Sequence, residues 1–143
     1  MSEHFRRLER LYHAAPINDY FRPNLHIPEA GVAELSLAIR PDFHHAAHAA
    51  HGAVYFKALD DATFFAANSL VDDVFVLTVS FNLYLTRPVS EGEVTARGRV
   101  VSRSKRLYLA EGVMHDSRGR EIARGSGAFM PSTIALADLE EYR

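Results

Sequence analysis

The stretch HHAAHAAHG, residues 44–52, holds four of the chain's eight histidines. Three kinds of chemistry suit such a cluster. Converging imidazoles bind metal, but a zinc site needs three or four ligands meeting at one point. His48 and His51 share a face only if the stretch is helical, with His44 or His45 adding a third ligand. No His-Glu-x-x-His pattern or acidic partner lies nearby. In a loop running into a helix the four rings diverge, so no metal is expected. The second possibility is the rim of a catalytic pocket, which would make activity depend on pH near neutrality. The third is a histidine-rich loop without chemistry. Downstream, Asp60 and Asp61 are adjacent carboxylates in an otherwise apolar run whose only other charge is Lys57. A carboxylate there can serve as general base or nucleophile, or simply as a structural hydrogen-bonding group. The chain has no cysteine, which removes disulfides, thiolate ligands and a thiol nucleophile.

The elements that must position these residues follow from periodicity. Residues 3–14 predict a helix, with Ser2 as its cap and Phe5, Leu8, Leu11 and Tyr12 on one face. Pro16 ends it. Residues 17–31 are rich in proline and turn formers and read as a surface wrap, with Tyr20 and Phe21 tucked beneath. Residues 32–40 alternate as a half-buried strand: Ala33, Leu35, Leu37 and Ile39 against Glu34, Ser36, Ala38 and Arg40. Residues 53–68, AVYFKALDDATFFAAN, lack that alternation and are apolar nearly all round, which predicts a helix buried nearly all round. Four strand-like runs follow at 74–88, 92–103, 106–116 and 120–131. In the first, Leu77, Val79, Phe81, Leu83 and Leu85 read as one face, and Thr78, Ser80, Asn82, Tyr84 and Thr86 as the other. VSEG and DSRG read as hairpin turns. The tail from Ser132 reads as a short helix or loose segment. The pattern is a strand, one long buried helix and an antiparallel meander, with open strand edges that dimerisation would cover.

A chain of 143 residues with net charge −2 fits one soluble globular domain with no nucleic-acid surface. The expected division is an N-terminal helix and wrap over 1–31, a core over 32–131 and a tail over 132–143. No apolar run approaches the roughly 20 residues of a membrane span, and the first residues lack a signal core. A cytoplasmic protein without membrane contact is expected.

The segment HGAVYFKALDDATFFAAN resembles the central segment of hotdog-fold acyl-CoA thioesterases, in the branch that includes the phenylacetate-pathway thioesterases. In that branch His-Gly-Gly opens the long helix and an acidic residue lies nine positions after the His. His51 and Gly52 match, and Asp60 takes the acidic position. TVSFNLYLTRPVSEGEVTARGRVV also resembles the family's second strand and its RP…G turn. Two departures stand out: Ala53 replaces the second glycine, and His45 stands where the family often has asparagine. The resemblance implies an α+β hotdog fold, an antiparallel sheet wrapped around one long central helix, here with an extra N-terminal helix.

The implied chemistry is thioester hydrolysis without a cofactor, coenzyme A being part of the substrate. The first turn of a helix offers free N–H groups at a positive dipole end, so the Gly52 N–H suits a thioester oxyanion. Asp60 lies eight residues on, about 12 Å along the axis, too far to share one carbonyl with Gly52 within one subunit. The resemblance implies that the two meet across a dimer interface. Asp60 is the expected base or nucleophile, and Asp61, about 100° round the helix, a structural partner of a basic or backbone group. Thr78 takes a hydroxyl position that can hold water. His45, His51, Phe56, Phe64 and Asn82 are candidate substrate contacts, with the aromatics suiting an aromatic or medium-chain acyl group. Arg103 and Arg106 are candidates for the nucleotide. The expected assembly is a homodimer or homotetramer. A hotdog enoyl-CoA hydratase or dehydratase and a non-catalytic acyl-CoA-binding protein are the competing readings.

Overall fold

The computed structural model describes residues 2–143. Helix α1 (Ser2–His13) and one helical turn, α2 (Asn18–Phe21), precede strands β1 (Asn24–Glu29) and β2 (Val32–Ile39). The long helix α3 (Gly52–Asn68) follows, then β3 (Val74–Leu85), β4 (Gly92–Arg103), β5 (Tyr108–His115) and β6 (Glu121–Ala135). The six strands form one antiparallel sheet in the order β1-β2-β4-β5-β6-β3. Helix α3 lies across its inner face, with Ala58, Leu59, Ala62, Ala66 and Ala67 fully covered. The apolar run is the buried helix expected of it, and a sheet wrapped around one long helix is the hotdog arrangement that the resemblance implies. Among the described residues no helix is long and apolar enough to cross a membrane.

The helix sits unusually low on the sheet. A Cβ on Gly98 of β4 would lie 2.6 Å from the Ala62 carbonyl oxygen, and one on Gly112 of β5 would lie 2.9 Å from Leu59 Cδ2. Only glycine fits so close a backbone approach. The C-terminus of α3 is sealed by Asn68, whose amide donates to the Val71 and Val74 carbonyls and accepts the Val76 N–H. His4 of α1 donates to the Asn68 carbonyl at 2.9 Å and accepts from the Tyr142 hydroxyl at 2.7 Å, joining three distant segments.

The structure corrects several readings. The segment expected to wrap the surface contains β1, and Pro28 is tolerated there because β1 is an edge strand with an unpaired side. Tyr20 stays about half exposed, stacked on Phe21 and Phe43 rather than tucked under. Ser2 lies within α1 instead of capping it. VSEG is not a hairpin, since β3 pairs with β6 and β4 with β2 and β5, so the chain crosses the sheet there. DSRG is a hairpin turn, with Gly119 at φ +78 and the Asp116 carboxylate accepting the Arg118 and Arg120 N–H groups. The tail from Ser132 continues β6 to Ala135, and short helical structure follows as two 3-10 helices, Leu136–Asp138 and Glu140–Tyr142, which bury Leu136 and Tyr142.

Candidate active site

The even alternation read through β3 is broken by a bulge at Val79. Thr78 pairs with Phe129 but Ser80 pairs with Ala128, so one residue is left over. A bulge shifts the side-chain phase by one. Val76 and Thr78 therefore face α3, as do Phe81, Leu83 and Leu85 beyond the bulge, while Ser80 and Asn82 face outward. Thr78 and Asn82, read as sharing a face, lie on opposite ones. The result is a contact across 18 residues of sequence: the Thr78 hydroxyl donates to Asp60 Oδ1 at 3.0 Å. Burial is the largest influence on Asp60 and pushes its pKa up to about 6; the Thr78 hydrogen bond opposes this, Asp61 adds to it and Lys57 opposes it.

Asp60 opens into a cavity of about 490 Å³. Phe64 and Phe65 of α3, Phe75 of β3, Leu11 of α1, and Ile134 and Leu139 of the C-terminal segment line it. Phe64 stacks on Phe65 and Phe75, with ring centroids 5.0 Å apart in each case. Asn18 also lines the cavity, and its Oδ1 is buried without a partner among the described residues. Apart from the α3 aromatics Phe64 and Phe65, these lining residues escaped sequence reasoning, because they come from α1, α2, β3 and the C-terminal segment. The amphipathic face of α1 was the one available signal.

Asp61 points toward α1. Its Oδ2 accepts both the Tyr12 hydroxyl and the Lys57 ammonium, each at 2.6 Å. This is the basic partner expected for it, and the i,i+4 spacing of Lys57 and Asp61 made the pair readable. Tyr12 was read only as part of an apolar face; its hydroxyl is the part that was missed.

His51 is the N-cap of α3: its Nδ1 accepts the Ala53 N–H at 2.9 Å. The Gly52 N–H has no acceptor among the described residues. A Cβ on Gly52 would lie 3.3 Å from Leu85 Cδ1, at the far end of β3 from Thr78. His45 accepts the Ala47 N–H through Nδ1, and His44 Nε2 donates to the Ser90 carbonyl. Each ring is thus held by its own backbone partner, and His48 occupies a left-handed turn at φ +65. Among the described residues no three histidine or carboxylate side chains group as metal ligands.

Phe56 does not line the Asp60 cavity; it is exposed and packs edge-on against Phe81. Asn82 lies in a shallow outer groove with Ser80, Val101, Leu109 and Glu111. Arg103 and Arg106 are exposed at the β4–β5 turn. Arg103 pairs with Tyr108, Tyr108 with Phe129, and Phe129 with Thr78. Arg103 thus shares a row with Thr78 three strands away, roughly 14 Å at the usual strand spacing.

The model of the thioesterase superfamily matches residues 47–123, more than half of the chain and the whole of α3. SSO1253 of Saccharolobus solfataricus, a protein named as an esterase, is 29% identical over 80 residues, 56% of this chain and 53% of its own length. The chain thus spans about half the length of the curated relative it matches. Escherichia coli PaaI, from the phenylacetic acid degradation operon, superposes with a TM-score of 0.85 at 14% identity, over 94% of this chain and 96% of its own. Thioesterase HI1161 of Haemophilus influenzae gives 0.79 at 13% identity, over 88% of each chain. The likeness to these two structures is one of fold. The family match covers the helix that carries Asp60 and the strand that carries Thr78, and the chain belongs to the thioesterase superfamily, with the hotdog fold.

Proposed function

We propose that the chain hydrolyses acyl-CoA thioesters, with an aromatic or medium-chain acyl group, at a site shared by two subunits. The observation that carries this is the Asp60 carboxyl, bonded by Thr78 at the wall of an aromatic-lined cavity and poised near neutral pH. An ionised Asp60 takes a proton from water held beside Thr78. The oxygen attacks the thioester carbonyl, and the Gly52 N–H of the partner subunit receives the oxyanion. The C–S bond then breaks. The thiolate recovers the proton from Asp60, leaving a carboxylic acid and free coenzyme A.

The β3 edge supports the two-subunit arrangement. It is unpaired and exposes Leu77, Val79 and Leu85 by 48%, 57% and 50%, apolar side chains along the edge that another copy would cover. If β3 pairs antiparallel with its copy about Asn82, with Val79 left over at its bulge, Thr78 meets Leu85 of the partner subunit. Leu85 adjoins Gly52, so that register brings a helix N-terminus up to each Asp60. The apolar residues Val101 and Leu109 on the outer face favour a second pairing into a tetramer. Arg103 and Arg106 are the proposed contacts for the nucleotide phosphates. His45 and Asn82 are retained as polar contacts to the pantetheine chain, and Phe56 as part of the subunit seam. A cytoplasmic location accords with acyl-CoA chemistry.

The test is thiol release from short, long, branched and aromatic acyl-CoAs, with Asp60→Asn beside the wild type. The chain's lack of cysteine gives no background. Turnover on aromatic or medium-chain substrates that falls at least a hundredfold in Asp60→Asn is expected. Turnover unchanged in that variant would overturn the assignment of Asp60. If Asp60 attacks directly instead, rapid acid quench traps an acyl group on it, visible by mass spectrometry.

A further inference from the structure

Asp60 and Asp61 are adjacent and both partly buried on one helix, yet their partners differ. Asp60 has a neutral hydroxyl from Thr78. Asp61 has the ammonium of Lys57 and the phenol of Tyr12, both on the same oxygen. Lys57 is three residues before Asp60 and four before Asp61, so on helical geometry it can reach either carboxylate. Its side chain is 11% exposed and its ammonium lies over the Tyr12 and Phe21 rings, at 5.2 and 5.4 Å from their centroids. The charged and titratable groups around Asp60 are these: Lys57 and Asp61 on its own helix, the Tyr12 phenol from α1, and Glu141 from the C-terminal segment on the cavity wall. Thr78 is the contact from β3. Lys57 is the one cation among them.

We infer that Asp61 and Tyr12 act as a latch that holds the Lys57 ammonium off Asp60, making all three positioning residues for the base. The inference rests on Asp60 being the base proposed above. An ammonium paired with Asp60 would stabilise the carboxylate and lower its affinity for a proton. It would also occupy lone pairs needed for water. With Lys57 drawn toward α1, Asp60 keeps a neutral partner and a free oxygen. Burial then holds it near neutrality, where a base removes a proton from water most effectively. The aromatic rings complete the latch, since ammonium over an aromatic face is itself favourable.

The test uses Asp61→Asn, which keeps shape and an acceptor for Tyr12 but discharges the latch. Lys57 then turns to Asp60. The acid limb of kcat/KM should move down by about one pH unit or more, and plateau kcat should fall about tenfold, with KM little changed. Loss of the Asp61 charge by itself also lowers Asp60, so the latch is read from Lys57→Met, which should raise the limb more when added to Asp61→Asn than when made in the wild type. Adding Lys57→Arg instead keeps the charge and should leave the limb low. Carboxyl-carbon NMR titration of Asp60, assigned by loss of its signal in Asp60→Asn, reads the same shifts without turnover. The latch is thereby tested even if Asp60 is not the base. An Asp60 titration unmoved in Asp61→Asn, or a rise on Lys57→Met no larger there than in the wild type, would overturn the inference.

Discussion

At the scale of single residues, the site turns on how one carboxyl is kept basic. Asp60 must be ionised to accept a proton, and its pKa stands at about 6, so kcat/KM should fall as pH drops through that value. Thr78→Val removes a hydrogen bond to the ionised form while keeping shape. The pKa of Asp60 then rises and the acid limb moves to higher pH. A pH–rate profile should show a loss of about tenfold near pH 6 that fades by pH 8. A loss that persists at pH 8 would mean that Thr78 also holds the attacking water. Asp60 and Asp61 are separable in the sequence because a helix turns about 100° per residue and the resemblance puts the acidic residue nine positions after His51; Lys57 can reach either. The resemblance marks Thr78 only as a hydroxyl that can hold water; its hydrogen bond to Asp60 is legible in the structure alone. Nothing in alternating apolar residues tells which of two polar neighbours will turn inward.

At the scale of elements, α3 was the most legible, because a run apolar on every side has nowhere to go but the interior. Strands β2, β4 and β5 were legible for the complementary reason, their period of two. The misreadings of the β3 faces and of VSEG have one physical origin. A bulge and a sheet crossing each change which surfaces meet while leaving local composition untouched. Val79 resembles any other strand residue, and VSEG resembles a hairpin turn until β6 takes the place beside β3. The height of α3 over the sheet was equally invisible, being set by missing atoms at Gly98 and Gly112. Gly98→Ala would drive a methyl into the Ala62–Thr63 peptide and lift the helix beside Asp60. Thermal melts should show about 1–3 kcal/mol lost. Turnover should fall about a hundredfold, because the Asp60–Thr78 spacing no longer holds.

At the scale of the whole molecule, the proposed two-subunit site would make each subunit half of an enzyme. The check is complementation. Asp60→Asn lacks the base, and a bulky Gly52→Val lacks room for the oxyanion, so each should be inactive alone. Unfolded together and refolded at equal amounts, they should form hybrid dimers in which one of two sites draws both intact residues. Recovery of about a quarter of wild-type activity is expected from random pairing; no recovery would place Gly52 and Asp60 in the same subunit's site or in none. The cavity has its own lesson at this scale. Its acyl-facing wall comes largely from residues 11–18 and 134–141, whereas the surface that fixes the helix comes from β4 and β5. Tyr12 serves both as cavity wall and as part of the latch; the other residues of these two segments lie apart from the surface that fixes the helix. Substitutions at Leu11, Ile17 or Leu139 can retune which acyl chain is welcomed while the proton-transfer apparatus stays where it is, and a lineage can change its diet without rebuilding its chemistry.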